Sequence, residues 1–375
     1  MTFKEIKEAA IRKTEMLGRM TSAMLFKSSM PSWKRCYNYL NSIHKDVKSS
    51  AIRSNIIKNQ TDYKYDIAII MTTYNREFLV ERCIKSILLN VPKNENHKFE
   101  YIFVNDGSKD STKEILEKYK KYPNVTVINQ ENQGVSGARN TAIDAARAKY
   151  LLFVDDDDTL MEGSVEKFLN VAEKGDYDII EGSRIRVLSD GRENKYEVVK
   201  TGELENSLGV LKGFVSGKLL RKKIFDKIVF PEKYWFEDSI GSALIYGDHT
   251  KTYIIEDVVY RYYITDNSIT ASSDSIKNID SIYVTMQLLK DRKVLGLPFK
   301  QENYEYFLRM INLTYQRTKK MNTTVRYCIF RINQYLYQEY YAGFKTERAD
   351  YLKTIETALL KNNFAKYVKA CEVHI

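Results

Sequence analysis

Two groups of carboxylates have the types and spacing to do chemistry. The first is Asp155-Asp156-Asp157-Asp158, which follows directly on the apolar run Tyr150-Leu151-Leu152-Phe153-Val154. Like charges packed into one turn are costly unless a cation neutralises them, and hard oxygen ligands at such a place suit Mg²⁺ or Mn²⁺. The same residues also fit a solvated acidic turn in which Asp158 caps the next helix. The second group is Glu237-Asp238, after Tyr234-Trp235-Phe236 and ahead of an expected helix. A carboxylate beside large aromatics is partly desolvated, which raises its pKa and makes it a better proton acceptor. The plainer role of Asp238 is again that of a helix cap.

These groups need elements to hold them. The run 150–154 is too short for a helix and reads as a strand buried on both faces, as in parallel sheets. Ahead of it, Ile67 to Met71, Tyr101 to Val104 and Val125 to Ile128 read as three further strands, alternating with helices. One helix places Leu79, Cys83, Ile84, Ile87 and Leu88 on a single face. The next begins at Ser111-Thr112-Lys113-Glu114, which has capping-box spacing, and a third runs through Ala138 to Ala148. This alternation is that of a parallel α/β sheet, in which ligands bind where the loops at the carboxyl ends of the strands converge. Those loops are Thr72 to Arg76, Asn105 to Asp110, Gln133 to Asn140 and the aspartates. No Gly-x-Gly-x-x-Gly follows the first strand and no Walker Gly-Lys-Ser occurs, so the common dinucleotide fold and P-loop motors are not supported.

Further on, a helix is expected at Ser164 to Lys174, then strand-like stretches at Ile179-Ile180 and Arg184 to Leu188 with a turn at Ser189 to Arg192. From Asp274 the pattern is helical. Ahead of the α/β zone, helical spacing occurs at Phe3, Ile6 and Ala10 and at Met16, Leu17, Met20 and Met24. These boundaries divide the 375 residues into a basic helical extension over 1–64, a catalytic domain over 65–274 and a helical region over 275–375.

The net charge of +10 draws the protein to anionic partners, phosphate or lipid headgroups among them. No recognisable module suggests nucleic acid. The basic N-terminal stretch fits either a packed helix pair with a solvated face or a contact with an anionic membrane surface. Cys36, Cys83, Cys328 and Cys371 have no paired spacing, and no secretory leader or bilayer-spanning run is evident, which suits a cytoplasmic protein, at most peripheral at the inner face of the membrane. Tyrosines number 28 against 16 phenylalanines, supplying wide rings with polar tips.

Taken together, Ile67 to Asn75, Val104-Asn105-Asp106-Gly107-Ser108, Asn132-Gln133-Gly134 with Ala138-Arg139-Asn140, Phe153 to Asp158, and Phe236-Glu237-Asp238 resemble the family 2 glycosyltransferases in their order. The resemblance implies a Rossmann-like nucleotide-diphospho-sugar transferase fold (the A-type, GT-A), here with helical N- and C-terminal extensions. It implies a hexosyltransferase-type enzyme using a UDP-sugar and Mn²⁺ or Mg²⁺, with single-displacement inversion. The acceptor would be a bacterial surface glycan, a teichoic acid or a lipid-linked saccharide. Carried over by position, Thr72 and Tyr74 would embrace the nucleobase, Asp106 would accept the uracil N3 proton, and Arg76 would lie near the diphosphate. Asp155 would sit by the ribose and sugar, with Asp156 on the donor side as part of the turn. Asp157 would be the metal ligand and Asp158 a supporting neighbour. Asp238 matches the general base, and Glu237 would shape its surroundings. One position departs from the family's pattern: Tyr263 stands where an arginine is expected before the loop Asn267 to Thr270, leaving that phosphate contact unassigned. A sugar nucleotidyltransferase and a non-catalytic glycan- or membrane-binding protein retaining the fold are the rival readings. Donor sugar, linkage and oligomeric state are not written in the sequence.

Overall fold

The computed structural model describes residues 31–54, 62–90, 92, 97–196, 201–211, 213–247, 249–264 and 275–372. The helical spacing at Phe3 to Met24 and the loop Asn267 to Thr270 lie outside them. The chain divides into two compact units. One is Ser49–Ser268 with Lys290–Leu297, and the other is Met1–Lys48 with Ile269–Leu289 and Pro298–Ile375. Among the described residues ahead of the sheet, 31–48 group with the C-terminal helices. Helix α1 (Trp33–Ile43) illustrates why. A helix this short is marginal in water and needs tertiary packing for its apolar face, which it finds where Trp33 stacks on Tyr335 at 3.8 Å.

The α/β unit is built on one sheet. Its strands are β1 (Tyr65–Thr73), β2 (Phe99–Asn105), β3 (Val125–Asn129), β4 (Ala148–Phe153), β5 (Thr159–Leu160), β6 (Ile179–Val187), β7 (Glu193–Tyr196), β8 (Gly202–Leu204), β9 (Lys218–Arg221) and β10 (Thr252–Tyr263). They are ordered β3-β2-β1-β4-β9-β6-β10-β5, with β7 beside β6 and β8 beside β10. Strand β1 is central: Ile69 lies opposite Tyr101 of β2 on one side and Leu152 of β4 on the other, both parallel. Ile67 through Met71 are all buried, as the unbroken apolar run requires. Helix α2 (Val80–Asn90) covers this strand's face with Val80, Cys83, Ile84 and Ile87, a spacing that repeats each helical turn. Helices α3 (Thr112–Glu117) and α4 (Gly134–Ala145) complete the crossovers.

The chain moves from β1 outward through β2 and β3, then returns to β4 on the other side of β1. The loops after β1 and β4 thus part in opposite directions and leave a crevice at the carboxyl end of the sheet. Beyond β4 the sheet turns mixed, with β9 antiparallel to β4 and β10 parallel to β6. The two strand-like stretches at 179–180 and 184–188 are one strand, β6, and the turn at 189–192 closes its hairpin with β7, Gly191 taking a φ of 82°.

Three local expectations are corrected. Ser111 makes no side-chain cap on α3: its own φ of −74° and ψ of 9° are not the extended conformation of a capping residue, and the Thr112 N–H goes to Asp110 at 3.0 Å. Asp158 caps no helix: strand β5 follows it, and its carboxylate is buried against β10. The segment after Glu237-Asp238 is a single 3₁₀ turn, Glu237–Ser239, and a wide turn at Gly241–Ile245, and Asp238 caps neither.

The other unit is helical, with residues 280–289 of the helix Asp280–Val294, then Gln301–Thr318, Thr323–Tyr340, Tyr351–Leu360 and Phe364–Glu372. Its core uses many of the tyrosines. Each buried ring needs a partner for its hydroxyl: Tyr304 donates to Glu356 at 3.0 Å, Tyr315 to Glu372 at 2.9 Å and Tyr283 to the His44 carbonyl at 3.0 Å. No helix among the described residues is long and apolar enough to cross a membrane.

Candidate active site

The loops after β1 and β2 are sewn together. The Asn75 N–H donates to Ser108 Oγ at 2.9 Å, the Lys109 N–H to Asn75 Oδ1 at 2.8 Å, and the Arg76 N–H to Thr112 Oγ1 at 2.8 Å. Asn75 takes a left-handed φ of 53°, which its short amide tolerates. This lattice leaves Thr72 half-buried and Tyr74 40% exposed at the rim of the crevice. Asp106 is buried and largely committed to its own chain. Its Oδ1 accepts from Gln130 Nε2 at 2.7 Å and the Gln133 N–H at 2.9 Å, and its Oδ2 from the Gly134 N–H at 2.8 Å. It thereby fixes the start of α4, and of the roughly four acceptor positions of a carboxylate one remains.

The aspartate turn is held from several sides. Its first backbone N–H, at Asp155, donates to the hydroxyl of buried Tyr260 at 3.0 Å, and Cys83 of α2 reaches the Asp155 carbonyl. Asp155 Oδ2 accepts from Ser216 Oγ at 2.6 Å and its Oδ1 from Arg139 Nη2 at 3.1 Å. Asp156 pairs with Arg76 Nε at 3.3 Å, and Asp158 accepts from the Tyr263 N–H at 2.9 Å. Burial, then Asp157 and Asp155, push the Asp156 carboxyl up to about 7 in spite of Arg76. Among the described residues, Asp157 alone of the four carboxylates accepts no hydrogen bond from another residue.

Arg139, on the inward face of α4, joins the two acidic groups. Its Nη1 donates to Glu237 Oε1 at 2.9 Å and to Asp238 Oδ1 at 3.1 Å, while Nη2 holds Asp155. Burial alone would weaken its charge, but Asp238, Asp155 and Glu237 together hold it firmly protonated. The two acids of the second group are not equivalent. The Glu237 side chain is 10% exposed and its pKa is pushed up to about 7, by burial first and by Asp238 second. Asp238 is 40% exposed, and its Oδ2 accepts no hydrogen bond among the described residues.

A second buried cluster supports Ser216. Lys218, wholly buried, lies 3.0 Å from Glu181 and donates to the Phe214 carbonyl at 2.9 Å, and Arg184 donates to the Ser216 carbonyl at 3.2 Å. Burial lowers the Lys218 pKa to about 8 against the pull of Glu181. Between them Gly217 takes a φ of 69°, and a Cβ there would meet the Tyr260 ring at 2.8 Å.

With this geometry in hand, comparison with known proteins is specific. Residues 68–229 match the family model for glycosyl transferase family 2. That segment of the chain is similar to the family, over somewhat less than half of the 375 residues. The uncharacterized glycosyltransferase EpsJ of Bacillus subtilis (strain 168) is 31% identical over 219 residues, 54% of this chain and 62% of that protein. The poly(ribitol-phosphate) beta-N-acetylglucosaminyltransferase TarP of Staphylococcus aureus (strain N315) is 28% identical, over 55% of this chain and 64% of that protein. The chain thus spans less than two thirds of these relatives. S. aureus TarS 1-349, solved in complex with UDP-GlcNAc, superposes with a TM-score of 0.66 at 18% identity, over 82% of this chain and 91% of that one. The chain accordingly has the GT-A fold, with helices added to the mixed sheet.

The family's divalent cation is compatible with the residues present. No group of three His, Cys, Asp or Glu side chains among the described residues could hold a metal by itself. Mg²⁺ is commonly held by one or two carboxylates and the phosphates of its ligand, and Asp157 offers such a carboxylate without a competing partner. His249 is exposed, with Nε2 at 3.1 Å from the Leu244 carbonyl. Arg261, a candidate for the unassigned phosphate contact, is paired with Glu193 at 3.1 Å.

Sequence reasoning quoted Arg139 in a motif and Arg184 at the start of a strand without giving either a task, and it passed over Ser216 and Lys218 altogether. Arg139 carried a signal: the small residues Gly137, Ala138 and Ala142 around it suit a closely packed face of α4, which the structure shows to be buried, so its charge has to meet a partner inside. Ser216 and Lys218 carried none.

Proposed function

We propose that the chain transfers a sugar from a UDP-sugar to a hydroxyl of a cell-wall glycan, with inversion at the anomeric carbon and with a divalent cation. The observation that carries this reading is the convergence of Asp155, Glu237 and Asp238 on Arg139 at the carboxyl end of the sheet. Residues from the donor side and from the second acidic group are brought within one guanidinium of each other, as a transfer between two bound substrates requires.

In this reading Thr72 and Tyr74 flank the base, and Asp106 offers it the one acceptor position it has left. Arg76 and Asp156 line the diphosphate side, and Asp155, held by Ser216 and Arg139, orients the sugar. Asp238 is the base, since it is the exposed member of its pair and keeps Oδ2 free. The acceptor O–H gives its proton to Asp238 as the oxygen bonds to the anomeric carbon, and the sugar–phosphate bond breaks with its electrons leaving on UDP. Glu237 keeps Arg139 in place from the buried side, which is a positioning task. Asp157 is the residue to hold Mg²⁺ or Mn²⁺, which when bound stabilises the negative charge of the departing diphosphate. Relatives named for poly(ribitol-phosphate) glycosylation and the TarS complex with UDP-GlcNAc support a UDP-N-acetylhexosamine or UDP-hexose donor and a teichoic-acid type acceptor. The net charge of +10 suits such a phosphate-rich polymer, and equally a peripheral position on the anionic inner face of the membrane.

The test is UDP release from a panel of UDP-sugars with poly(ribitol phosphate) and other glycan acceptors, with and without Mn²⁺. Release from none of them overturns the reading. Turnover that persists in Asp238→Asn removes Asp238 from its role, and Mn²⁺-dependent UDP binding unaltered by Asp157→Ala removes Asp157 from the metal.

A further inference from the structure

We propose that Arg82 binds the diphosphate of the donor, as a second guanidinium beside Arg76 on the rim of the aspartate turn. The proposal rests on the reading of the crevice as a nucleotide-sugar site. Arg82 lies in the first turn of α2 and is exposed. Its Nη2 donates to the main-chain carbonyl of Asp157, and its guanidinium stacks on the ring of Tyr263, with Cζ 3.8 Å from the centroid. Tyr263 is itself placed by its N–H on the Asp158 carboxylate at 2.9 Å. A long, rotamer-rich side chain is thus fixed by one contact to the turn that carries Asp157 and one to Tyr263 at the end of β10, although it is open to solvent.

The contacts are of an unusual kind for a charged group. The other arginines of the site spend their charge on carboxylates: Arg139 on Asp155, Glu237 and Asp238, Arg76 on Asp156, Arg261 on Glu193. Arg82 touches a neutral carbonyl and an aromatic face. Among the described residues it forms no ion pair, and Nε and Nη1 make no hydrogen bond. A planar guanidinium held in one orientation, with most of its N–H fork uncommitted and its charge unpaired, is prepared for a phosphate oxygen. Its place beside Asp157 puts it next to the carboxylate that would share the same phosphates with a cation. Arg76, whose charge is already engaged by Asp156, is less able to do this alone.

The rival explanation is that Arg82 only staples the Asp157 turn. The two separate by measuring uridine, UMP and UDP binding by calorimetry in the full chain, for the parent, Arg82→Gln and Arg82→Lys, with melting temperatures alongside. The expected result for Arg82→Gln is a loss of UDP affinity of about tenfold to a hundredfold, as for a charge-assisted hydrogen bond, with uridine affinity unchanged and Arg82→Lys intermediate. Equal losses for uridine and UDP, or no loss for either, overturn the assignment. So does unchanged UDP binding with a raised KM for poly(ribitol phosphate), which would move the guanidinium to the acceptor's phosphates. A parent protein that binds none of the three nucleotides would instead sink the nucleotide-sugar reading itself.

Discussion

Replacing Arg139 with glutamine removes a positive charge shared by three carboxylates, and the consequence can be worked out. Breaking a buried ion pair by deleting one partner costs about 3–5 kcal/mol, because a charge is left uncompensated. Asp238 and Asp155 are 40% and 35% exposed, so water takes over much of their compensation. Glu237, 10% exposed, receives no such help and sets the scale at about 3 kcal/mol near pH 8. The loss should depend on pH. Burial and Asp238 already hold the Glu237 carboxyl up to about 7, above the usual 4.5, and removing Arg139 raises it further. With a raised carboxylate pKa the folded state binds a proton that the unfolded state has released, so stability falls as pH rises. In the parent this fall spans the window from about 4.5 to 7, and in Arg139→Gln it continues above 7. At pH 5.5 Glu237 is mostly protonated with or without Arg139, and the guanidinium has less charge to neutralise. One unit of further shift is worth about 1.4 kcal/mol, so the destabilisation at pH 8 should exceed that at pH 5.5 by about 1 kcal/mol or more. Urea denaturation followed through Trp235, two residues from Glu237, reads this directly. Equal losses at both pH values would refute the electrostatic account and leave packing of Arg139 over Phe230, 5.2 Å away, as its contribution. Glu237→Gln added to Arg139→Gln should recover much of the loss at pH 8, whereas simple additivity would show that the two side chains are not coupled.

Asp238→Asn should lower turnover about 10²- to 10⁴-fold while UDP affinity stays within about twofold of the parent, as expected when only a proton acceptor is lost; steady-state UDP release and calorimetry test the two halves. Asp106→Asn should weaken uridine binding and cost about 1–3 kcal/mol, because one amide oxygen cannot replace the acceptors used by Gln130, Gln133 and Gly134, and hydrogen exchange should rise at the start of α4. Gly217→Ala should lower the melting temperature, since it adds a Cβ at 2.8 Å from the Tyr260 ring on a backbone with φ of 69°, at a cost of about 1–3 kcal/mol for the strained backbone. A melting temperature equal to the parent's would mean that the 214–217 segment yields freely and does not hold Ser216 against Asp155.

What the sequence by itself determined is local. Buried parallel strands and one-sided helices write their burial into adjacent residues, so Ile67 to Met71, Tyr150 to Val154 and the face of α2 could be read directly, and with them the loops that must carry a ligand site. Turn chemistry was readable where a single residue demands it, as at Gly191, and misread where the backbone decides, as at Ser111, whose ψ of 9° keeps its hydroxyl from capping α3. Tertiary structure decided which charges meet. The small residues beside Arg139 suit a closely packed face of α4, but its partners appear only once α4 lies against β1 and β2 and meets the aspartate turn and the turn at Glu237, which bring carboxylates from distant parts of the chain onto one guanidinium. The same holds for Ser216 on Asp155, for Lys218 on Glu181, and for Arg82 on Tyr263. Such pairs leave no periodic trace, since each is set by how whole elements pack and not by spacing along the chain. The grouping of Trp33 with Tyr335 was hidden for the same reason: a short amphipathic helix announces an apolar face, and only the fold says what covers it.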